Sequence, residues 1–164
     1  MDFLVYSFEK ENAFFSNKWI VFDEEDNEVY TVKHPGFFSS DNILMMNQLG
    51  VVVLEISWNF WKTNFKLIQN EVEIANVSKS TALFHKEFFI TTADGTEVTI
   101  KGHWLRNEFR FMKGDDEFAY VSRKRFAFAH DRYGVAIRAE INPLFILGAV
   151  IVIQVIIRAQ EGSV

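Results

Sequence analysis

Among the 164 residues, those whose types and spacing best suit chemistry are cations. Arg123, Lys124 and Arg125 are contiguous, and Lys62, Lys66, Lys86 and Arg106 stand elsewhere in the chain. An anionic group such as a phosphate is held by several converging cations or N–H donors. On a strand only every second side chain reaches one face, so Arg123 and Arg125 would project together and Lys124 away from them. The residues assigned to an anionic headgroup are Arg123, Lys124, Arg125, Lys62, Lys66 and Arg106. Charges that discourage strands from pairing edge to edge would account for the same cluster without any ligand.

A second stretch, Trp58-Asn59-Phe60-Trp61-Lys62-Thr63-Asn64-Phe65, interleaves aromatic and basic side chains. Exposed, such residues suit a membrane interface or stacking on a base; buried, they are core around a wide hairpin. Exposure decides between the two, and two or more of Trp58, Phe60 and Trp61 facing solvent would favour binding. The acidic run Asp23-Glu24-Glu25-Asp26-Asn27-Glu28 offers oxygen ligands for calcium. It lacks the glycine and terminal glutamate of an EF-hand loop, and a charged hairpin tip explains it.

Other chemistries find little support. His34, His85, His103 and His130 are scattered, with no pair at zinc-ligand spacing. Ser39-Ser40-Asp41 follows Phe37-Phe38 in a loop, and neither a nucleophile elbow nor a phosphate-cradling glycine loop is present. No carboxylate stands in an apolar setting that would mark it as a catalytic acid. Cysteine is absent, which removes disulfides, thiolate metal sites and a thiol nucleophile, and suits a reducing cytoplasm. The formal net charge of -5 argues against nucleic acid as the main partner. No catalytic residue, metal or cofactor is therefore assigned. The start, MDFLVYSFEKE, lacks the apolar run of a secretory signal, so Asn76-Val77-Ser78 is a chance match to the glycosylation triplet.

The elements that must position these residues read as strands. From Trp19 to Ala139 short apolar or alternating runs are broken by turn residues every 8–12 positions, the spacing of a sandwich or barrel. Strands are expected at 19–22, 29–32, 43–46, 51–58, 65–69, 72–77, 88–92, 97–101, 108–112, 117–124, 126–130 and 135–140. Ala93-Asp94-Gly95-Thr96 carries the strongest hairpin signal. A sheet of about a dozen strands curls or closes, since an open one leaves long edges and an unfilled interior.

What fills it is Leu144–Ile157, LFILGAVIVIQVII, apolar on every side except for Gln154. A segment of that kind must be surrounded. Asn142-Pro143 is a good helix start, an N-cap residue followed by proline at the first helical position. Seven β-branched residues from Val150 to Ile157 pull instead toward a buried strand. As a helix the segment spans roughly 21 Å, short of a usual bilayer crossing, although a C-terminal membrane anchor is a third reading. Expected strands of six or seven residues rise about 20–23 Å, commensurate with such a helix.

At this point the chain resembles the LURP-one-related family of the tubby C-terminal-like superfamily, to which phospholipid scramblases also belong. The resemblance lies in hairpin following hairpin, in Tyr133-Gly134-Val135-Ala136-Ile137, and in the Asn-Pro-Leu-Phe start of a hydrophobic helix at Asn142. It extends to Asp94-Gly95 opening a strand that ends near Gly102-His103-Trp104, and to Phe118-Ala119-Tyr120-Val121-Ser122-Arg123-Lys124. The family usually has Asp where this chain has Asn142, and either residue caps a helix. The resemblance implies a mainly β protein. Its closed antiparallel barrel of about twelve strands surrounds a buried C-terminal α-helix at about 143–158, in a single domain over 1–164.

It implies less about activity, because one fold hosts many functions. Tubby domains bind phosphoinositide headgroups and scramblases act at membranes with calcium. The expected function is a non-catalytic, cytoplasmic binding module, peripheral to the membrane, whose partner is an anionic phospholipid surface or another protein. A tail-anchored, scramblase-like protein is the first alternative, and an enzyme with an unrecognised site the second.

Overall fold

The structure is a computed structural model that describes residues 2–11, 18–35, 41–80, 88–123 and 132–161, the side chains of 159–161 excepted. Twelve strands alternate in direction: β1 (Phe3–Lys10), β2 (Lys18–Phe22), β3 (Glu28–Lys33), β4 (Ile43–Met46), β5 (Val52–Trp58) and β6 (Asn64–Gln69), then β7 (Val72–Lys79), β8 (Phe88–Thr92), β9 (Glu97–His103), β10 (Glu108–Lys113), β11 (Asp116–Ser122) and β12 (Tyr133–Arg138). Each pairs antiparallel with its sequence neighbours, and β1 closes the barrel against β12. One helix, α1 (Pro143–Glu161), follows.

The strand missing from the sequence reading is β1, the one that closes the wall. Its register sets Leu4 opposite Ile137, Tyr6 opposite Val135 and Phe8 opposite Tyr133. The Phe8 and Tyr133 rings stack at 5.4 Å and 3° inside that seam. Phe3-Leu4-Val5-Tyr6 is apolar at every position, so period-2 alternation does not show there. The expected strand at 126–130 lies outside the described residues.

The inner faces of the strands supply Val21, Val32, Met45, Leu54, Ile56, Phe65, Leu67, Val77, Ile90, Phe109, Phe111, Val121 and Val135, all buried in one core with α1. Residues 144–157 of the helix are buried without exception. This decides the conflict of local signals. Helical propensity costs each Val or Ile only a few tenths of a kcal/mol, whereas full burial is worth roughly 1.5–3 kcal/mol per side chain. Asn142 caps the helix through Oδ1, which accepts the Leu144 N–H at 3.1 Å, while its Nδ2 donates to Gln69 Oε1 at 2.8 Å. The second bond uses a donor that a carboxylate at this position would lack.

Two positions adapt α1 to the wall. A Cβ on Gly148 would lie 2.7 Å from Leu54 Cδ2 and 3.1 Å from Leu67 Cδ1, so glycine lets the helix approach β5 and β6. Gln154, the lone polar side chain, donates from Nε2 to Oδ1 of Asn107 in the β9–β10 connection, and both residues are buried. Asn107 is in the left-handed region at φ 55°, which asparagine tolerates better than most residues.

Two outcomes follow. Ile151→Asp buries a charge with no partner against an apolar wall and should abolish the cooperative melt seen by near-ultraviolet circular dichroism. Gln154→Leu should leave a folded barrel that is about 1–3 kcal/mol less stable to urea, because Asn107 Oδ1 loses its donor.

Candidate functional site

The two ends of the barrel differ in loop length. At the end where α1 begins, here called proximal, turns of two to five residues join the strands: 23–27, 47–51, 70–71, 93–96 and 114–115. At the distal end, where α1 finishes, four pairs of successive strands stand seven to ten residues apart in sequence, across 11–17, 34–42, 80–87 and 123–132. Two distal connections are short, the turn 59–63 and the 3-10 turn Trp104–Arg106 with Asn107.

The ends differ in charge as well. Proximal turns carry Asp23, Glu24, Glu25, Asp26, Glu71, Asp94, Asp115 and, before α1, Glu140, with Lys113 and Arg138 the cations at the strand ends beside them. Several of these carboxylates are structural. Asp23 Oδ1 accepts the Glu25 and Asn27 N–H groups, each at 2.9 Å, and these backbone bonds hold its pKa below the usual carboxylate range. Glu24 Oε1 accepts the Val5 N–H at 3.0 Å, and Asp26 pairs with Arg132. The acidic run is thus a wired hairpin tip. Asp94 works likewise: bonds from Thr92 and Thr96 lower its pKa to about 2.

The distal end gathers cations at strand ends: Lys10, Lys18, Lys33, Lys62, Lys79, Arg106, Arg123 and, in the last turn of α1, Arg158. Glu11, Asp41 and Glu108 share that end. Lys18 and Lys33 are direct cross-strand partners and line an open groove of about 760 Å³ with His34, Asp41, Asn42 and Glu55. Sequence reasoning missed Lys10, Lys18 and Lys33. Their signal was position alone, one lysine at the same end of each of three successive strands.

The assigned headgroup residues fall into two pairs. Lys62 and Lys66 belong to the β5–β6 hairpin, Lys62 in its turn and Lys66 exposed on the outer wall opposite Ser57 and Asn76. Arg106 and Arg123 belong to the β9–β11 segment, both exposed, with Glu108 accepting the Arg123 N–H at 2.8 Å and the Ser122 hydroxyl at 2.7 Å. Lys86, Lys124 and Arg125 lie outside the described residues. Lys62 and Arg106 enter strands β6 and β10, four apart, a separation of roughly 19 Å along the wall at about 4.8 Å per strand.

The aromatic-basic stretch divides between core and solvent. Trp58 is half-buried, edge-on to Phe65 at 5.9 Å and to His34 at 5.8 Å, with Lys62 Nζ 4.1 Å above its ring. Phe60 and Trp61 are 85% and 77% exposed and meet edge to face at 5.1 Å. Asn59 builds the turn that projects them. Its Oδ1 accepts the Thr63 and Asn64 N–H groups at 2.9 and 3.0 Å, and its Nδ2 donates to Thr63 Oγ1 at 3.0 Å.

Beneath this tip, His34 stacks on Trp19 at 5.6 Å and 5°, and the Arg158 guanidinium lies 5.2 Å from the Trp19 centroid. Burial, with Arg158 and Lys10 nearby, lowers the His34 pKa from 6.5 to about 4. An apolar cage with cations beside it suits a neutral imidazole. Of the other histidines, His103 is exposed at the end of β9, and His85 and His130 lie outside the described residues.

No helix among the described residues is long and apolar enough to cross a membrane. The description LURP-one-related matches residues 5–154. The chain belongs to the LURP-one-related family. A crystal structure of a protein from Arabidopsis thaliana superposes with a TM-score of 0.65 at 15% identity, covering 97% of this chain and 91% of that one. At that identity the likeness concerns the fold. No curated protein matches the chain. For this LURP-one-related chain, then, family and barrel are established, and function has to be argued from the distal end.

The His34 cage gives a signed pH dependence. Between about pH 6.5 and 4 the unfolded chain binds a proton that the native state refuses, so stability is full above the upper value and falls as pH drops through that window. His34→Phe, which keeps a ring against Trp19, should melt with a shallower decline in midpoint over that window than the wild type. Equal slopes would assign the decline to other groups.

Proposed function

We propose that this LURP-one-related chain is a non-catalytic binding module, peripheral to the cytoplasmic face of a membrane. Its distal end engages a surface of anionic lipid headgroups. The observation carrying this reading is the placement of Lys62, Arg106 and Arg123 at one end of the barrel, with the proximal turns of opposite charge at the other. Lys62 and Arg106 stand roughly 19 Å apart along the wall, a span that suits several headgroups in a plane better than one headgroup in a pocket.

A chain of net charge -5 is repelled overall by an anionic bilayer, yet near the surface each end is felt separately, because fields decay within about 8–10 Å at physiological salt. Orientation with the distal end down brings Lys62, Arg106 and Arg123 within that length, together with Glu11, Asp41 and Glu108, and keeps the carboxylates of the turns at 71, 94 and 115 outside it. The tail-anchored alternative loses support because 144–157 already have protein on every side.

Flotation with phosphatidylcholine vesicles with and without phosphatidylserine or phosphoinositide tests the reading. Binding should require the anionic lipid and weaken steeply with salt. Lys62→Ser, Arg106→Ser and Arg123→Ser combined should reduce partitioning about a hundredfold, at about 1 kcal/mol per cation near the surface. Failure of the wild type to bind at low salt would remove the lipid assignment.

A further inference from the structure

We infer that Phe60, Trp61 and Leu105 enter the interfacial layer of an anionic bilayer when the distal end docks, an inference that rests on the reading of that end as membrane-facing. Single exposed apolar residues need no explanation, but two adjoining aromatic rings at one tip, each followed closely by a cation, are a different case. Phe60 and Trp61 occupy one distal turn, and Leu105, 58% exposed, occupies another four strands away.

The two turns share a construction. In each, a half-buried Trp anchors the base: Trp58 against Phe65, and Trp104 against Phe88 at 5.0 Å. The exposed apolar residues come next, followed at once by a cation, Lys62 or Arg106. An apolar tip followed by a cation matches a bilayer interface, where rings sit among the upper acyl carbons and the charge stays at the phosphates.

The first tip is held rigid. Beyond the Asn59 side-chain bonds, the Lys62 N–H donates to Asn59 O and the Asn59 N–H to Asn64 O, each at 3.1 Å. Lys62 takes φ 55°, an unfavourable region for its type. A turn wired in this way fixes the backbone that carries the rings, so little backbone entropy remains to be lost on insertion. Of the exposed apolar residues at the proximal end, Val72 is flanked by Glu71 and Glu73, and Leu49 and Val51 occupy the 47–51 turn, which carries no cation.

The test measures insertion separately from attachment. Tryptophan fluorescence is followed on phosphatidylcholine vesicles with and without phosphatidylserine, the acyl chains brominated near the headgroup, for the wild type and Trp61→Phe. Quenching on the anionic vesicles should be largely lost in Trp61→Phe. Phe60→Ser with Trp61→Ser should weaken vesicle binding about tenfold or more per ring without shifting the melting midpoint, since both rings are already in water. Leu105→Ser should weaken it by less.

Attachment to anionic vesicles with no quenching of Trp61 would overturn insertion and leave the headgroup reading standing. Quenching that is equal on neutral vesicles would keep insertion and overturn the dependence on anionic lipid. Absence of binding to either would overturn both, and capture of the tip by a protein groove would then be the remaining role for it.

Discussion

A helix apolar on all sides cannot rest on an open sheet, because half of its surface would stay wet; the wall has to go all the way round. That constraint governs the rest of the molecule. It makes β1 indispensable, since without the pairing of Phe3–Phe8 with Tyr133–Arg138 the barrel has two raw edges and the helix an exposed flank. It also forces every deviation from plain apolar packing to be answered locally: Gly148 where β5 and β6 crowd the helix, Gln154 where Asn107 waits at the rim, and Asn142 where the chain turns inward.

Because the strands spend their inner faces on the helix, few polar groups are buried among the described residues, including the hydroxyls of Ser7, Ser122 and Tyr133, the His34 ring, and Gln154 with Asn107. Gln154 and Asn107 are closed by their own hydrogen bond, and Ser122 by its bond to Glu108. The His34 imidazole, which lines the groove beside Lys18 and Lys33, is packed between Trp19 and Trp58, and its lowered pKa reflects burial beside cations. The proposed binding role then draws on the outer wall or the two ends. The outer wall is broken up by ladders such as Asn64 with Asn76, whose side-chain amides bond reciprocally at 3.1 and 2.8 Å. The ends remain, and they differ.

Much of this was legible in the residues, for reasons that can be located. Val98 and Ile100 alternating with Glu97, Thr99 and Lys101 announced a half-wetted strand, and Asp94-Gly95 its hairpin. The LFILGAVIVIQVII run announced a buried axle, though its secondary structure was balanced between propensity and the Asn-Pro start until burial decided it. The closing strand was hidden because its outer half is as apolar as its inner half. The candidate site was legible only in part. Lys62 and Arg106 could be named as cations, but their sharing one end with Lys10, Lys18, Lys33 and Arg123 depends on whether an odd or even number of strands separates them, information that exists only once every strand has been counted.

That parity has a consequence for how such a barrel acquires function. In an up-and-down barrel every second connection lies at the same end, so residues far apart in sequence become neighbours on one rim with no pocket needed to gather them. The proximal connections are as short as hairpins allow, and their acidic side chains are largely occupied in holding the turns: Asp23, Glu24 and Asp94 each accept a backbone N–H. The widest sequence spacings between successive strands are all distal. The two short distal turns are the exception that argues most strongly for use. A tight turn over Asn59 could be made with any polar tip; one that holds Phe60 and Trp61 in water forgoes their burial for no gain in the free protein, the cost that the proposed insertion would offset.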